Sequence, residues 1–256
     1  MSDDITRERI VRDNELHSRR ALLGRSAVGL TALAGAGTLA GPALANGSGK
    51  RWWHNGGSRH DFDFIVTQEQ FGVTFLTEAV RRAPGTPSEQ FLPVLKAANT
   101  TEFDHVQALE AVGASPLTNT FWIPEAAFGG GGVGLFASIE AVETIELSMY
   151  LIGVDDATRR SKESLARLCA EAMATESEHR VLARSAQDML GKDVGVPNNI
   201  SFAPFLYPTI EEVKAALEAL GIGYGHKTSA PGAFYEYPGD PVANGSGTVQ
   251  DVRTPS

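Results

Sequence analysis

Apolar residues recur every three or four positions along much of the chain, which is the spacing of one face of an α-helix. The first such stretch predicts a helix over 63–82, which the Pro-Gly-Thr-Pro sequence at 84–87 ends. A second helix should span 87–113, and Thr86 with Glu89 three residues later forms a capping box at its start. Alternation typical of β-strands is scarce, so the pattern favours an all-α fold.

Two more long helices and a short one are predicted further along the chain. A connection rich in glycine and proline over 114–134 should cross between two helical hairpins. The third helix should span 135–152 and the fourth 158–190. A short amphipathic helix is expected over 209–220, and the tail after it should lack regular structure because it is rich in glycine and proline.

These elements predict one folded domain with appendages. The expected fold is a four-helix bundle over 61–191, made of two antiparallel helical hairpins joined by the long crossover. A linker over 46–60 should precede it, and a C-terminal extension over 192–256 should follow it. Pro93 either kinks the second helix near its start or marks the true first turn of that helix.

The first 45 residues predict an export signal and not a part of the fold. Arg19 and Arg20 precede an apolar segment over 26–45, which is rich in glycine and alanine and ends in Pro-Ala-Leu-Ala at 42–45. Paired arginines before a weakly apolar segment resemble a twin-arginine export signal. The alternative is a transmembrane anchor, which the scarcity of large apolar side chains disfavours.

Charge and cysteine content narrow the class of protein. The formal net charge is −9, which argues against binding to nucleic acid or to anionic membrane surfaces. The chain has a single cysteine, Cys169, so an intrachain disulfide is impossible and stability must come from core packing. No other long apolar run follows the signal, so we expect no stable membrane insertion once the signal is removed.

Two Glu-x-x-His pairs lie on apolar faces of the second and fourth helices. They are Glu102 with His105 and Glu176 with His179. Three residues along a helix turn by about 300° and rise about 4.5 Å, so the carboxylate and the imidazole of each pair point the same way. Buried polar groups of this kind need compensation, and metal ions would supply it.

A repeated spacing adds one glutamate to each pair. Glu69 precedes Glu102 by 33 residues (102 − 69), and Glu143 precedes Glu176 by the same number (176 − 143). The predicted metal ligands are therefore Glu69, Glu102, His105, Glu143, Glu176 and His179. This set suits two iron or two manganese ions in a helical bundle, with Glu102 and Glu176 bridging and the other two glutamates terminal. The alternative is a buried polar network without metal.

Several neighbouring side chains leave alternatives open. Glu140 and Glu146 flank Glu143 by one turn, and each is an extra ligand, a carboxylate that orients a ligand histidine, or a solvated residue. Tyr150 lies two turns after Glu143 and is either a core residue or a redox-active phenol. Cys169 is interpreted as a buried, inert thiol.

The chain resembles the ferritin-like domain of bacterial and plant desiccation-related proteins over residues 61–190. The segments that carry the resemblance are Val-Thr-Gln-Glu-Gln-Phe at 66–71, Thr-Glu-Phe-Asp-His-Val at 101–106, Val-Glu-Thr-Ile at 142–145 and Thr-Glu-Ser-Glu-His at 175–179. The resemblance implies the ferritin-like fold and places metal ligands at the same six residues. A twin-arginine leader also fits the exported members of that family.

These observations predict an exported protein, in the periplasm, cell wall or extracellular space, with a carboxylate-bridged pair of iron or manganese ions. Its partners should be metal ions and small oxidants, and a homo-oligomer is left open. The expected chemistry is that of a di-iron or di-manganese oxidoreductase acting on dioxygen, peroxide or Fe(II) in stress protection. The alternatives are a non-enzymatic desiccation-related protein whose metals only brace the bundle, and metal sequestration.

Overall fold

A computed structural model describes residues 58–251 and residue 255 of the chain. Most of these residues are helical. The four long helices are α1 (Ser58–Arg82), α2 (Leu92–Ala111), α3 (Val133–Arg159) and α4 (Glu163–Met189), and a short helix α5 spans Ile210–Ala219. The predicted export signal lies outside the described residues, as does most of the predicted linker. Residues 58–60 of that linker form the first turn of α1.

The long helices pack in two sequential pairs. Helix α1 lies against α2 and α3 lies against α4, while α1 also contacts α3, and α5 packs on α3. The apolar faces expected from the sequence are buried, as Phe62, Leu95 and Ile139 show. The structure thus confirms the four long helices and the short C-terminal one. Within the described part of the chain, no helix is both long enough and apolar enough to cross a membrane.

The start of α2 differs from the predicted capping box. A 3-10 helix over Pro87–Phe91 precedes α2, and Thr86 caps it by accepting a hydrogen bond from the amide two residues on, at 3.3 Å. The Glu89 carboxylate accepts from the amide of Gly85 at 2.8 Å, and not from that of Thr86. Pro93 lies in the first turn of α2, where a missing amide hydrogen breaks no helical hydrogen bond.

Helix α3 continues past its predicted end at residue 152. The sequence predicts a turn beginning at Asp155 and Asp156, and this prediction is wrong. Asp155 forms an ion pair with Arg159 at 3.3 Å, one helical turn later. Asp156 forms the equivalent pair with Arg160 at 2.9 Å, and pairs at this spacing stabilise a continuing helix. The chain turns at Ser161, whose φ of 55° is left-handed.

A small antiparallel sheet accompanies the helices, so the fold is mostly helical. Its strands are β1 (Thr120–Pro124), β2 (Gly223–Tyr224) and β3 (Gly232–Glu236), in the order β2-β1-β3. The predicted crossover loop thus contains the central strand, and the tail that was expected to lack regular structure contains both outer strands. The sheet packs on α1 through aromatic rings, with Tyr224 centred 5.3 Å from Phe64.

The last described segment is held against α1 and α2 by buried polar contacts. Asn99 donates from Nδ2 to the carbonyl oxygen of Ser246 at 3.1 Å and to the hydroxyl of Thr77 at 3.0 Å. The amide of Thr248 donates to the hydroxyl of Thr100 at 3.0 Å. The C-terminal extension therefore folds back along the first helical pair.

Candidate metal centre

The six side chains singled out by the sequence meet in the interior, and none is more than 3% exposed. Helices α1 and α3 contribute one glutamate each, and α2 and α4 contribute one Glu-x-x-His pair each. Their ligand atoms form two overlapping groups, in which one atom of each residue lies within 4.8 Å of the others. The groups are Glu69, Glu102, His105 and Glu176, and Glu102, Glu143, Glu176 and His179.

Glu102 and Glu176 belong to both groups, whereas the other four residues belong to one group each. The two groups are related by an offset of 74 residues along the chain. Glu143 follows Glu69 by this number (143 − 69), and the two Glu-x-x-His pairs follow the same rule (176 − 102). The arrangement therefore offers two positions for a cation, related by this offset, and the shared carboxylates lie where bridging ligands are expected.

Both imidazole rings direct Nδ1 into the cluster of carboxylates. His105 Nδ1 lies 2.9 Å from Glu176 Oε1 and 3.2 Å from Glu69 Oε2. His179 Nδ1 lies 2.7 Å from Glu176 Oε2 and 3.3 Å from Glu102 Oε1. Each nitrogen is thus placed beside the oxygens with which it would share a metal ion.

Burial and neighbouring charges shift the pKa values of the carboxyl groups, upwards for some and downwards for Glu176. Burial raises the pKa of Glu102 well above its ordinary value, and the charges of Glu176 and Glu69 add to the increase. Burial likewise raises the pKa of Glu143, although His179 opposes the shift. Burial would also raise the pKa of Glu176, but the two histidines outweigh it and hold this pKa well below its ordinary value. Glu176 therefore stays ionised without metal.

The histidines shift towards the protonated form. Burial alone would lower the pKa of His105, but the charge of Glu176 and hydrogen bonds to Glu176 and Glu69 raise it well above its ordinary value. The same balance, with Glu176 and Glu143 as partners, raises the pKa of His179 to about 9. In the absence of metal, protons on the imidazoles therefore neutralise part of the carboxylate charge, so metal must displace them.

The two glutamates that flank Glu143 have different surroundings in the structure. Glu140 faces Arg184, with which it forms an ion pair, and accepts a hydrogen bond from Gln187 at 2.9 Å. It is not part of the centre. Glu146 is 2% exposed and accepts a hydrogen bond from Gln68 Nε2 at 2.8 Å. Burial raises the pKa of Glu146 well above its ordinary value, and the charge of Glu176 acts in the same direction.

Two further residues, which the sequence did not assign to the centre, contact it. The hydroxyl of Tyr150 donates to Glu69 Oε1 at 2.6 Å, and its ring lies 6.0 Å from that of His105. Its spacing from Glu143 is the signal that could have placed it here. Gln68 donates to Glu146 and is fully buried beside Glu69, but no local pattern marks it.

A glycine on α1 leaves the space that Glu102 occupies. A β-carbon at Gly72 would lie 2.9 Å from Glu102 Oε2 and 3.1 Å from its Cδ. Contacts this short require the carboxylate to move. The small residue at this position therefore allows Glu102 to reach both groups of ligands.

Gly72→Ala is expected to weaken metal binding about tenfold, equivalent to about 1.4 kcal/mol, because it displaces the shared carboxylate of Glu102. The helix itself should tolerate alanine, which has the higher helix propensity. Calorimetric titration with Mn(II) measures the change. Gly153→Ala is the matched control, since its β-carbon would crowd Cys169 Sγ at the same 2.9 Å without touching Glu102. Equal binding by the two variants would contradict the assignment.

The donor set fits a pair of divalent cations. Four carboxylates and two imidazoles supply hard oxygen and nitrogen ligands of the kind that iron and manganese accept. Glu143 Oε2 is buried and has no hydrogen-bond partner among the described residues, a costly arrangement that a bound cation would relieve. A bound cation would likewise offset the cost of burying several carboxylates close together.

Comparisons with known proteins do not add to this picture. No protein-family model, no curated protein and no solved structure matches the chain. The functional interpretation therefore rests on the residues and their geometry.

Proposed function

We propose that this chain is an exported protein with a ferritin-like four-helix bundle that holds two iron or two manganese ions and carries out redox chemistry on dioxygen, peroxide or Fe(II). The observation that supports it most is the pair of overlapping ligand groups, which share Glu102 and Glu176. A cluster around a single cation would not require this duplication. Export by the twin-arginine pathway is proposed from the N-terminal sequence alone.

The ferritin-like fold is proposed from the arrangement of the helices. Two sequential helical pairs, joined by a long connection, each contribute one glutamate and one Glu-x-x-His pair to the interior. Di-iron and di-manganese bundles use this ligand set on this framework. The small sheet and the C-terminal segment would then be additions to the outside of α1 and α2.

The residues of the chain have distinct parts in the proposed centre. Glu102 and Glu176 would bridge the two ions, while Glu69 with His105 and Glu143 with His179 would complete one position each. Iron or manganese pairs held in this way can cycle between oxidation states, which is the chemistry that the bound ions supply. Tyr150 fixes the orientation of Glu69 through its hydrogen bond. The apolar surroundings keep bulk water away from the carboxylates.

A second candidate function is a metal-braced structural protein without turnover. The complete burial of Glu69, Glu176 and His179 favours it, because an oxidant must reach the ions through packed side chains. Bound metal would still stabilise the fold by removing the repulsion among the carboxylates. The alternative of metal sequestration shares the same ligands and differs in the number of ions taken up.

Elemental analysis of the chain, purified with its export machinery intact, tests the proposal. We expect about two iron or manganese ions per chain, as the two ligand groups require. After anaerobic loading with Fe(II), the protein should consume oxygen or peroxide when either is supplied. Protein loaded with Zn(II), which has no accessible second oxidation state, is the matched control and should consume neither.

The outcomes separate the candidate functions. A chain that neither carries metal nor takes it up would refute the metal centre altogether. Two bound ions that react with neither oxidant would support the structural role. Uptake of many more than two Fe(II) ions per chain would indicate sequestration.

A further inference from the structure

One side of the centre is joined to the sheet by a chain of hydrogen bonds. The hydroxyl of Tyr224, on β2, donates to Gln68 Oε1, and Gln68 Nε2 donates to Glu146 Oε1 at 2.8 Å. The hydroxyl is the donor and the carboxylate oxygen is the acceptor, so the two contacts fix the orientation of the amide between them. The Tyr224 ring is itself held by Phe64, centred 5.3 Å away.

The 74-residue repeat relates the first helical pair to the second, and it shows that this series of hydrogen bonds is not duplicated. Gly72 and Glu146 occupy equivalent positions (146 − 72), as do Gln68 and Val142 (142 − 68). On α1, the missing side chain of Gly72 leaves room for Glu102. On α3, the equivalent position carries a buried carboxylate, one helical turn after Glu143. The two cation positions are therefore unequal in their surroundings.

We infer that Tyr224, a residue of the C-terminal extension, is a positioning residue of the metal centre that acts through Gln68 to fix the Glu146 carboxylate, one helical turn after the candidate ligand Glu143. This inference rests on the proposed function. Its consequence is that the two cations bind with different affinities, since the repeat places this additional carboxylate on α3 and a glycine at the equivalent position of α1. Without the Tyr224 hydroxyl, Gln68 is free to rotate and Glu146 loses its fixed donor.

Titration with Co(II), followed by visible absorption, tests the inference on the full chain. The wild type should bind two ions in resolved steps. Tyr224→Phe removes only the hydroxyl, and we expect it to keep both ions while weakening one step about threefold to tenfold, as loss of one buried hydrogen bond predicts. The absorption spectrum of that step should also change. Tyr235→Phe is the matched control, because its hydroxyl accepts from Arg82 at 2.9 Å, away from the centre.

A double-mutant cycle decides whether Tyr224 acts through Glu146. In a Glu146→Gln background, Tyr224→Phe should have no further effect on Co(II) binding, because the residue through which it acts has lost its charge. Should Tyr224→Phe fail to fold, Gln68→Met takes its place in the cycle and leaves the tyrosine ring packed. Melting temperatures of the metal-free variants show whether a general loss of stability contributes.

Three results would overturn the inference. The first is Co(II) binding by Tyr224→Phe that equals that of Tyr235→Phe. The second is a Tyr224→Phe effect that persists undiminished in the Glu146→Gln background. In both cases, two Co(II) ions bound to the wild type would leave the proposed centre standing. The third is a wild type that binds no Co(II), which would overturn the inference and the proposed function together.

Discussion

Glutamine in place of Glu102 is expected to abolish binding of both metal ions, whereas glutamine in place of Glu69 should abolish binding of one. Glu102 contributes to both ligand groups and Glu69 to a single group. Glutamine keeps the shape of the side chain but removes the charge that two cations would share. Loss of one charged ligand typically costs several kcal/mol in a buried site, or about a hundredfold or more in affinity.

Equilibrium dialysis against Mn(II) followed by elemental analysis measures this stoichiometry. Glu176→Gln should behave like Glu102→Gln, and Glu143→Gln like Glu69→Gln. Glu140→Gln is the matched control, because that glutamate lies on the same helix as Glu143 but pairs with Arg184. The bridging assignment fails if Glu102→Gln retains one ion, or if Glu69→Gln loses both.

The metal-free protein should become less stable as the pH rises from about 6.5 to about 9. The pKa of His179 is raised to about 9 in the folded chain, and an unfolded histidine titrates near 6.5. The folded state binds the additional proton throughout this window, so its stabilising effect is complete below 6.5 and is lost as the pH approaches 9. The expected loss from this group is about 3 kcal/mol.

The other groups of the centre that have a shifted pKa either add to this loss of stability or affect stability only in acid. The raised pKa of His105 also makes the folded state the stronger proton binder above pH 6.5, so it adds to the decline. The raised pKa values of Glu102 and Glu143 act in the same direction, beginning above the pKa of an unfolded glutamate. Glu176, whose pKa is lowered, contributes stability that is lost only in acid, as the pH falls below its unfolded value. The decline from neutral to alkaline pH should therefore be monotonic.

Urea unfolding in the presence of a chelator, at a series of pH values, measures this profile. His179→Gln should flatten it. Metal-loaded protein should show the opposite trend, because the ligands bind metal more tightly as their protons leave. An apo protein whose stability rises between pH 6.5 and 9 would contradict the charge balance described for the centre.

The helices and the candidate ligands could be predicted from the sequence because both follow periodic patterns. Apolar spacing located the four long helices and the short helix α5, which Thr209 caps by accepting from the amide of Glu212. The 33-residue offset selected the six side chains that the structure brings together. Both signals depend only on residues within one helix or one helical pair.

The sheet and the residues around the ligands were missed because they depend on distant contacts. Strand β1 has five residues, and its register pairs Thr120 with Glu236, more than a hundred positions later. Such a short strand carries no periodic pattern of its own. The contact of Tyr224 with Gln68 is equally remote in sequence. The tail composition that predicted irregular structure is also compatible with short strands joined by turns.

The position of β1 at the centre of its sheet has a consequence for synthesis of the chain. At about 5 to 20 residues per second, a ribosome needs about 6 to 23 s to proceed from Thr120 to Glu236. Both edges of β1 lack partners until Gly223 and Tyr224 are made, while the pairing of α3 with α4 requires only residues that follow directly. A nascent chain that acquires metal before Tyr224 emerges would load a centre in which Gln68 is still untethered. The order in which cations enter would then differ between nascent and finished protein.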